Sequence, residues 1–178
     1  ILLFYYYYII ILSSGVMSGI MARFTNVKCE VLDPSYCVYE KCELKLLGRG
    51  TVALNIHAKL LKGPFNNAKV NLSLWRKFNG FRPFMFNVTF DLCKFLSKPN
   101  KLSFQKIIYD ALAPNSNINH TCPYEHEIVV RDFILKEELF QFLPLPSGEY
   151  QLRIMAATDN HWKTRIIANI LISEDLIK

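Results

Sequence analysis

The 178-residue sequence has no charged residue before Arg23 and no basic run longer than Arg76-Lys77. A nucleic-acid stripe needs Lys and Arg gathered on one face, whereas scattered charge marks an ordinary solvated surface. The formal charge of +6 is scattered along the chain after residue 22, so no nucleic-acid partner is expected. A basic rim of this kind would suit the anionic head group of a lipid or fatty acid. Catalytic signatures are missing too. There is no G-x-S-x-G elbow, no H-E-x-x-H and no phosphate-cradling glycine loop. Serine, histidine and aspartate occur at no spacing that makes a triad, and Glu137-Glu138 reads as a solvated pair. The chain is therefore not expected to be an enzyme and has no expected cofactor. Repeats, linkers and low-complexity tracts are absent after the N-terminal block, which makes residues 23–178 one expected domain.

Long apolar runs are confined to the N-terminus. Ile1 to Leu12 (ILLFYYYYIIIL) is wholly apolar, and small residues follow as far as Ala22. This pattern reads as a secretory signal peptide over 1–22, with cleavage near Ala22 or Gly19. The stretch is also long enough to span a bilayer, so a signal anchor is the alternative. Both readings place the remainder outside the cell.

The central stretch is Lys69 to Cys93, KVNLSLWRKFNGFRPFMFNVTFDLC. Val70, Leu72, Leu74 and Phe78 share one phase, and Lys69, Asn71, Ser73 and Lys77 the other. After Asn79-Gly80, the residues Phe84, Phe86, Val88, Phe90 and Leu92 alternate with Met85, Asn87, Thr89 and Asp91. Side chains alternate along a strand, so this is a hairpin with one buried face. Pro83 implies a longer, bulged connection. Sequons begin at Asn71, Asn87 and Asn119, and the first two fall on the polar phase, where a glycan would meet water.

Further strands are expected at 24–31, 36–47 and 51–61, with Val52, Leu54, Ile56, Ala58 and Leu60 inward in the third. Another is expected at 127–135, and a final hairpin at 150–156 and 164–172. Leu152, Ile154 and Ala156 share one face of the hairpin, as do Ile166, Ala168 and Ile170. Short turns between successive strands favour a sandwich or barrel. One segment changes period. Phe104, Ile107, Ile108, Ala111 and Leu112 make an apolar helical face within 102–112, between a start at Pro99-Asn100 and a stop at Pro114. A helical turn is expected within 137–145.

Five cysteines in an oxidising compartment leave one thiol over. Phase favours Cys29 with Cys42, on the inward side with Val27, Val31, Val38, Leu44 and Leu46. Cys93 and Cys122 enter and leave the non-strand excursion, so a bridge there would tie its base. Each bridge contributes about 3–4 kcal/mol by loop entropy. Cys37 is then the odd thiol, with exchange for Cys42 or pairing between chains left open. His120, Cys122 and His126 are spaced like zinc ligands. Cys122 serves better in a disulfide and His120 lies within a sequon, so no metal is expected. His57 and His161 read as surface residues.

What remains is an aromatic interior of Phe78, Phe84, Phe86, Phe90 and Tyr150. Inward aromatics usually make a filled core. If the two sheets splay, the same side chains line a slot for an apolar ligand.

The segments FTNVKCEVLDPSYCVYEKCELKLLGRG, VNLSLWRKFNGFRPFMFNVTFDLCKFL, NSNINHTCPYEHEIVV and FLPLPSGEYQLRIMAATDNHW resemble a large insect group of secreted proteins, catalogued mainly as a domain of unknown function. The likeness covers about Phe24 to Ile170. The group is distantly similar to ML lipid-recognition domains, which include the ganglioside activator protein, and to CheB-type chemosensory proteins. The resemblance implies a mainly β, immunoglobulin-like antiparallel sandwich with one amphipathic helix. It also implies four paired cysteines at Cys29, Cys42, Cys93 and Cys122, with Cys37 outside the pattern.

The expected function is extracellular binding of a lipid, fatty acid or cuticular hydrocarbon, with a role in pheromone or taste perception and a membrane receptor as a further partner. Leu72, Leu74, Phe84, Phe86, Phe90 and Ile154 are the expected wall, with Phe104 and Ile108 as the gate. The alternative is an extracellular interaction module with a solid core and no ligand.

Overall fold

The computed structural model describes residues 19–98 and 103–175. Its strands are β1 (Gly19–Val31), β2 (Cys37–Gly48), β3 (Thr51–Leu60), β4 (Lys69–Lys77), β5 (Phe81–Asp91), β6 (Glu127–Phe133), β7 (Gly148–Thr158) and β8 (His161–Asp175). Helices α1 (Leu92–Ser97) and α2 (Phe104–Leu112) lie between β5 and β6, and α3 (Glu138–Phe142) lies between β6 and β7. All pairings between strands are antiparallel. They form a five-stranded sheet, β1-β8-β7-β4-β5, and a three-stranded sheet, β2-β3-β6. Residues of both sheets meet in one apolar cluster that includes Phe24, Leu54, Ile56, Leu74, Phe86 and Val130. The arrangement is mainly β and sandwich-like.

The expected hairpins form where turn chemistry permits. Gly80 takes a φ of 139°, a conformation that side chains disfavour, and the Phe78 N–H donates to its carbonyl at 2.9 Å. Pro83 is tolerated because β5 lies at the sheet edge, where a missing N–H costs little. The register slips between Ser73 and Trp75 on β4, opposite Met85 at a φ of 66°. Asp159 and Asn160, both at positive φ, close the β7–β8 turn.

Five sequence expectations need correction. First, β1 begins at Gly19 rather than Phe24. Gly19 to Ala22 pair with Asp175 to Ile172, and Ile20 and Ala22 pack on the core. The expected apolar signal segment itself lies outside the described residues. Second, Phe78 sits in the turn and is 56% exposed, with the Arg76 guanidinium 5.4 Å from its ring centre. Third, Val38 and Leu46 face solvent. The β2–β3 register slips between Tyr39 and Lys41, which turns Tyr39 inward in place of Val38. Leu46 lies beyond the core near the strand's end.

Fourth, Ser73 is buried on the face expected to be polar. Trp75 lies over it, donating from Nε1 to Ser73 Oγ at 3.1 Å, and Arg153 stacks 3.9 Å from the Trp75 ring centre. Fifth, the stretch after Asp91 is helical. The Asp91 carboxylate caps α1 by accepting from the Lys94 N–H at 3.0 Å. Leu92 therefore starts a helix rather than ending a strand. Ser103 caps α2. The expected start at Pro99-Asn100 lies outside the described residues.

Candidate functional site

The two sheets are pinned at one edge and wedged at the other. At the pinned edge Cys29 on β1 is bonded to Cys42 on β2, with Cα atoms 6.2 Å apart. Nearby, Tyr39 Oη on β2 meets Thr164 Oγ1 on β8 at 2.5 Å. Thr164 donates to the Glu30 carbonyl at 3.0 Å, so the Tyr39 hydroxyl is the donor between the two. At the wedged edge, α1 and α2 pack beside β5. Phe86 stacks on Phe104 at 4.7 Å, and Phe95 meets both Phe90 and Tyr109 edge-on. The second disulfide, Cys93–Cys122, ties α1 to the loop before β6. Both bridges match the sequence expectation, and Cys37 is a free, buried thiol.

Between pin and wedge lie two adjoining cavities. One, of about 150 Å³, has only apolar side chains on its wall, among them Phe24, Leu74, Phe86, Leu143 and Ile170. The other, of about 200 Å³, is lined by Leu72, Phe90, Phe95 and Tyr109, and by Tyr36, Cys37, Tyr39 and Thr164. Ile56, Ile108, Leu112, Ile118, Ile154 and Ile166 border both. Neither alone reaches the roughly 300 Å³ of common ligand pockets, but together they exceed it.

Of the eight expected ligand residues, Leu74 and Phe86 border the first cavity, Leu72 and Phe90 the second, and Ile108 and Ile154 both. Phe84 instead packs on Tyr150 at 5.9 Å, beneath the Arg76 guanidinium. Phe104 lies behind Phe86 rather than on the wall. Sequence reading missed the polar end formed by Tyr36, Cys37, Tyr39 and Thr164. It also missed Ile118, a lone apolar residue in a loop otherwise read as polar.

Burial shapes the chemistry of that end. It raises Tyr36 and Tyr39 to about 12 and pushes the Cys37 thiol upward. Tyr124, which donates to the His120 carbonyl, is raised to about 12 by burial as well. The nearby Lys163 ammonium is held 2.6 Å from the Asp33 carboxylate, and Lys163 with Ser35 keeps that carboxyl well below its ordinary range.

Outside the first cavity runs an open groove of about 480 Å³ between α2 and α3, bordered by Lys106, Asp110, Lys136, Glu138 and Phe142. Ala111, Phe133 and Leu139 line both groove and cavity and so form the partition between them.

The remaining motifs resolve simply. Cys122 is oxidised, His120 Nδ1 contacts its neighbouring Thr121 carbonyl at 2.7 Å, and His126 is exposed. Those three residues do not form a ligand set. His57 lies on the outer face between Glu40 and Glu127. Asn87 and Asn119 are exposed. Asn71 is half-buried, and its Nδ2 donates to Asn87 Oδ1 at 2.8 Å and Thr89 Oγ1 at 2.9 Å.

Residues 70–152 match the model of a family described as protein of unknown function (DUF1091). The matched stretch runs from β4 through α1, α2 and the Cys93–Cys122 bridge into β7, so it contains the wedge and much of the cavity wall. No curated protein matches the chain.

Proposed function

We propose that the protein takes up one small hydrophobic molecule between its sheets and carries or presents it outside the cell. The observation that carries this reading is the pair of adjoining, largely apolar cavities, both bordered by Ile108 and Leu112 of α2. Close packing is the rule in protein interiors, and the few voids they contain are small. Two apolar cavities sharing one wall are better explained by an occupant than by imperfect packing.

Two disulfides fit an oxidising, extracellular compartment. No helix among the described residues is long and apolar enough to cross a membrane. We read the sheet arrangement as an immunoglobulin-like sandwich of the ML kind, glycosylated at its sequons. On that reading the cargo is a lipid or cuticular hydrocarbon, and the setting is chemosensory. Burial of each methylene would contribute about 0.8 kcal/mol to holding it.

One observation favours the alternative, an interaction module without cargo. The side chains of Ile108, Leu112, Ile154 and Ile166 divide the space, and each half alone is small.

Native mass spectrometry of the protein from a eukaryotic secretory host, with organic extraction of the same sample, separates the two. The carrier reading expects a co-purifying apolar molecule or one-to-one uptake of an added one. A chain that is empty and refuses every apolar probe is the module.

A further inference from the structure

Resting on the carrier reading, we infer that the cargo is uncharged: a hydrocarbon-like body of roughly a dozen carbons bearing at most one neutral hydrogen-bond donor, such as an alcohol. A cavity of about 150 Å³ holds a benzene-sized molecule, and scaling to both cavities gives that carbon count.

Charge is what the walls lack. Among the described residues, no Lys, Arg, His, Asp or Glu borders either cavity. A buried carboxylate without a partner is costly enough that it takes up a proton instead. Three cations on elements around the cavities are paired with carboxylates. Lys163 pairs with Asp33, Arg165 with Glu30, and Lys106 with Asp110. Lys136 and Glu138 border the outer groove, not either cavity.

Beside β8, the polar end offers an acceptor. Thr164 gives its proton to the Glu30 carbonyl, and Tyr39 gives its proton to Thr164. Tyr39 Oη keeps lone pairs and no free hydrogen, and the Cys37 thiol beside it is only a weak donor. A hydroxyl can donate to the Tyr39 oxygen. A carboxylate only accepts, and would meet that oxygen's lone pairs. Tyr36, Gln105 and Tyr109 also border this cavity; they can donate a hydrogen bond, but they bring no positive charge to keep a carboxylate ionised. The apolar body would then run past Ile108 and Ile154 into the first cavity, which has no polar wall atoms to offer.

The test uses the whole secreted chain with 1-aminoanthracene as a neutral fluorescent probe, displaced by decan-1-ol or decanoic acid from pH 5 to 8. Decanol should compete equally across the range. Decanoic acid should weaken about tenfold per pH unit once its carboxyl ionises, because only the neutral acid enters. Decanoate competing as well as decanol at pH 8, as it would if held at Lys136, overturns the inference and leaves the carrier reading standing. Absence of any probe uptake overturns both.

Tyr39→Phe tests the polar end. It should weaken decanol about two- to tenfold, the loss of one net hydrogen bond, and leave naphthalene unchanged. An equal loss for both compounds would overturn the placement of the hydroxyl.

Discussion

Phe86 on β5 and Phe104 on α2 lie with ring centroids 4.7 Å apart and planes 21° from parallel. One ring forms part of the cavity wall and the other braces it from behind. Helix α2 is thus fastened to the edge strand by an aromatic stack, while the neighbouring α1 is tied to the loop before β6 by a disulfide. Phe104→Ala should lower stability by about 1–3 kcal/mol, less than a fully buried Phe costs. It should also speed release of a bound probe several-fold. Stopped-flow dissociation and thermal melting check both, and a slower or unchanged release would mean that α2 is not the closing element.

Tyr36, Tyr39 and Tyr124 are each raised from 10.0 to about 12. The sign follows from proton linkage. Above pH 10 the unfolded chain gives up these protons and the folded chain keeps them, so stability falls as pH rises from 10 towards 12. Alkaline unfolding should fall in that window. Tyrosine ionisation at 295 nm should rise together with loss of the β signal in circular dichroism.

Cys37 is 2% exposed, and burial disfavours its thiolate. A hydrophilic thiol reagent should find almost no reactive group in the native protein at neutral pH and one per chain in denaturant. Full reaction in the native state would place Cys37 in solvent.

Asn71 and Asn87 sit side by side on the outer face, amide to amide at 2.8 Å. Two glycans attached there would crowd one another. Glycopeptide mapping should find sugar on only one of the pair in any single chain. Asn87 should be favoured, because its side chain is the more exposed. Chains doubly occupied at this pair would contradict the outer-face geometry.

Much of this architecture is legible in the amino-acid sequence because period-two alternation reports which side of a strand is wet. The β4–β5 hairpin and the Cys29–Cys42 pairing both follow from it. The departures arise where something other than alternation decides. A bulge adds a residue to one strand and has no compositional signature. Alternation that carries Val38 inward leaves Tyr39 outside. The slip before Lys41 reverses this and brings Tyr39 to the cavity wall. Ser73 lies on the outer face that alternation assigns it, yet a tryptophan two residues along covers it. Whether facing surfaces leave a gap depends on the separation of two sheets, which no pattern within either one encodes. Ile154 could be assigned inward, but not placed at a void.

Ile154 borders both cavities, and a larger side chain there should take up space in both. The most direct measurement is equilibrium uptake of 1-aminoanthracene by the native chain and by Ile154→Phe, with melting temperatures for each. The native chain should bind one probe saturably. The variant should bind at least about tenfold more weakly while staying folded, its ring entering existing space at no more than about 1–3 kcal/mol, the cost of overpacking a filled core. Equal binding by the two proteins, or none by either, would contradict a cargo held between the sheets.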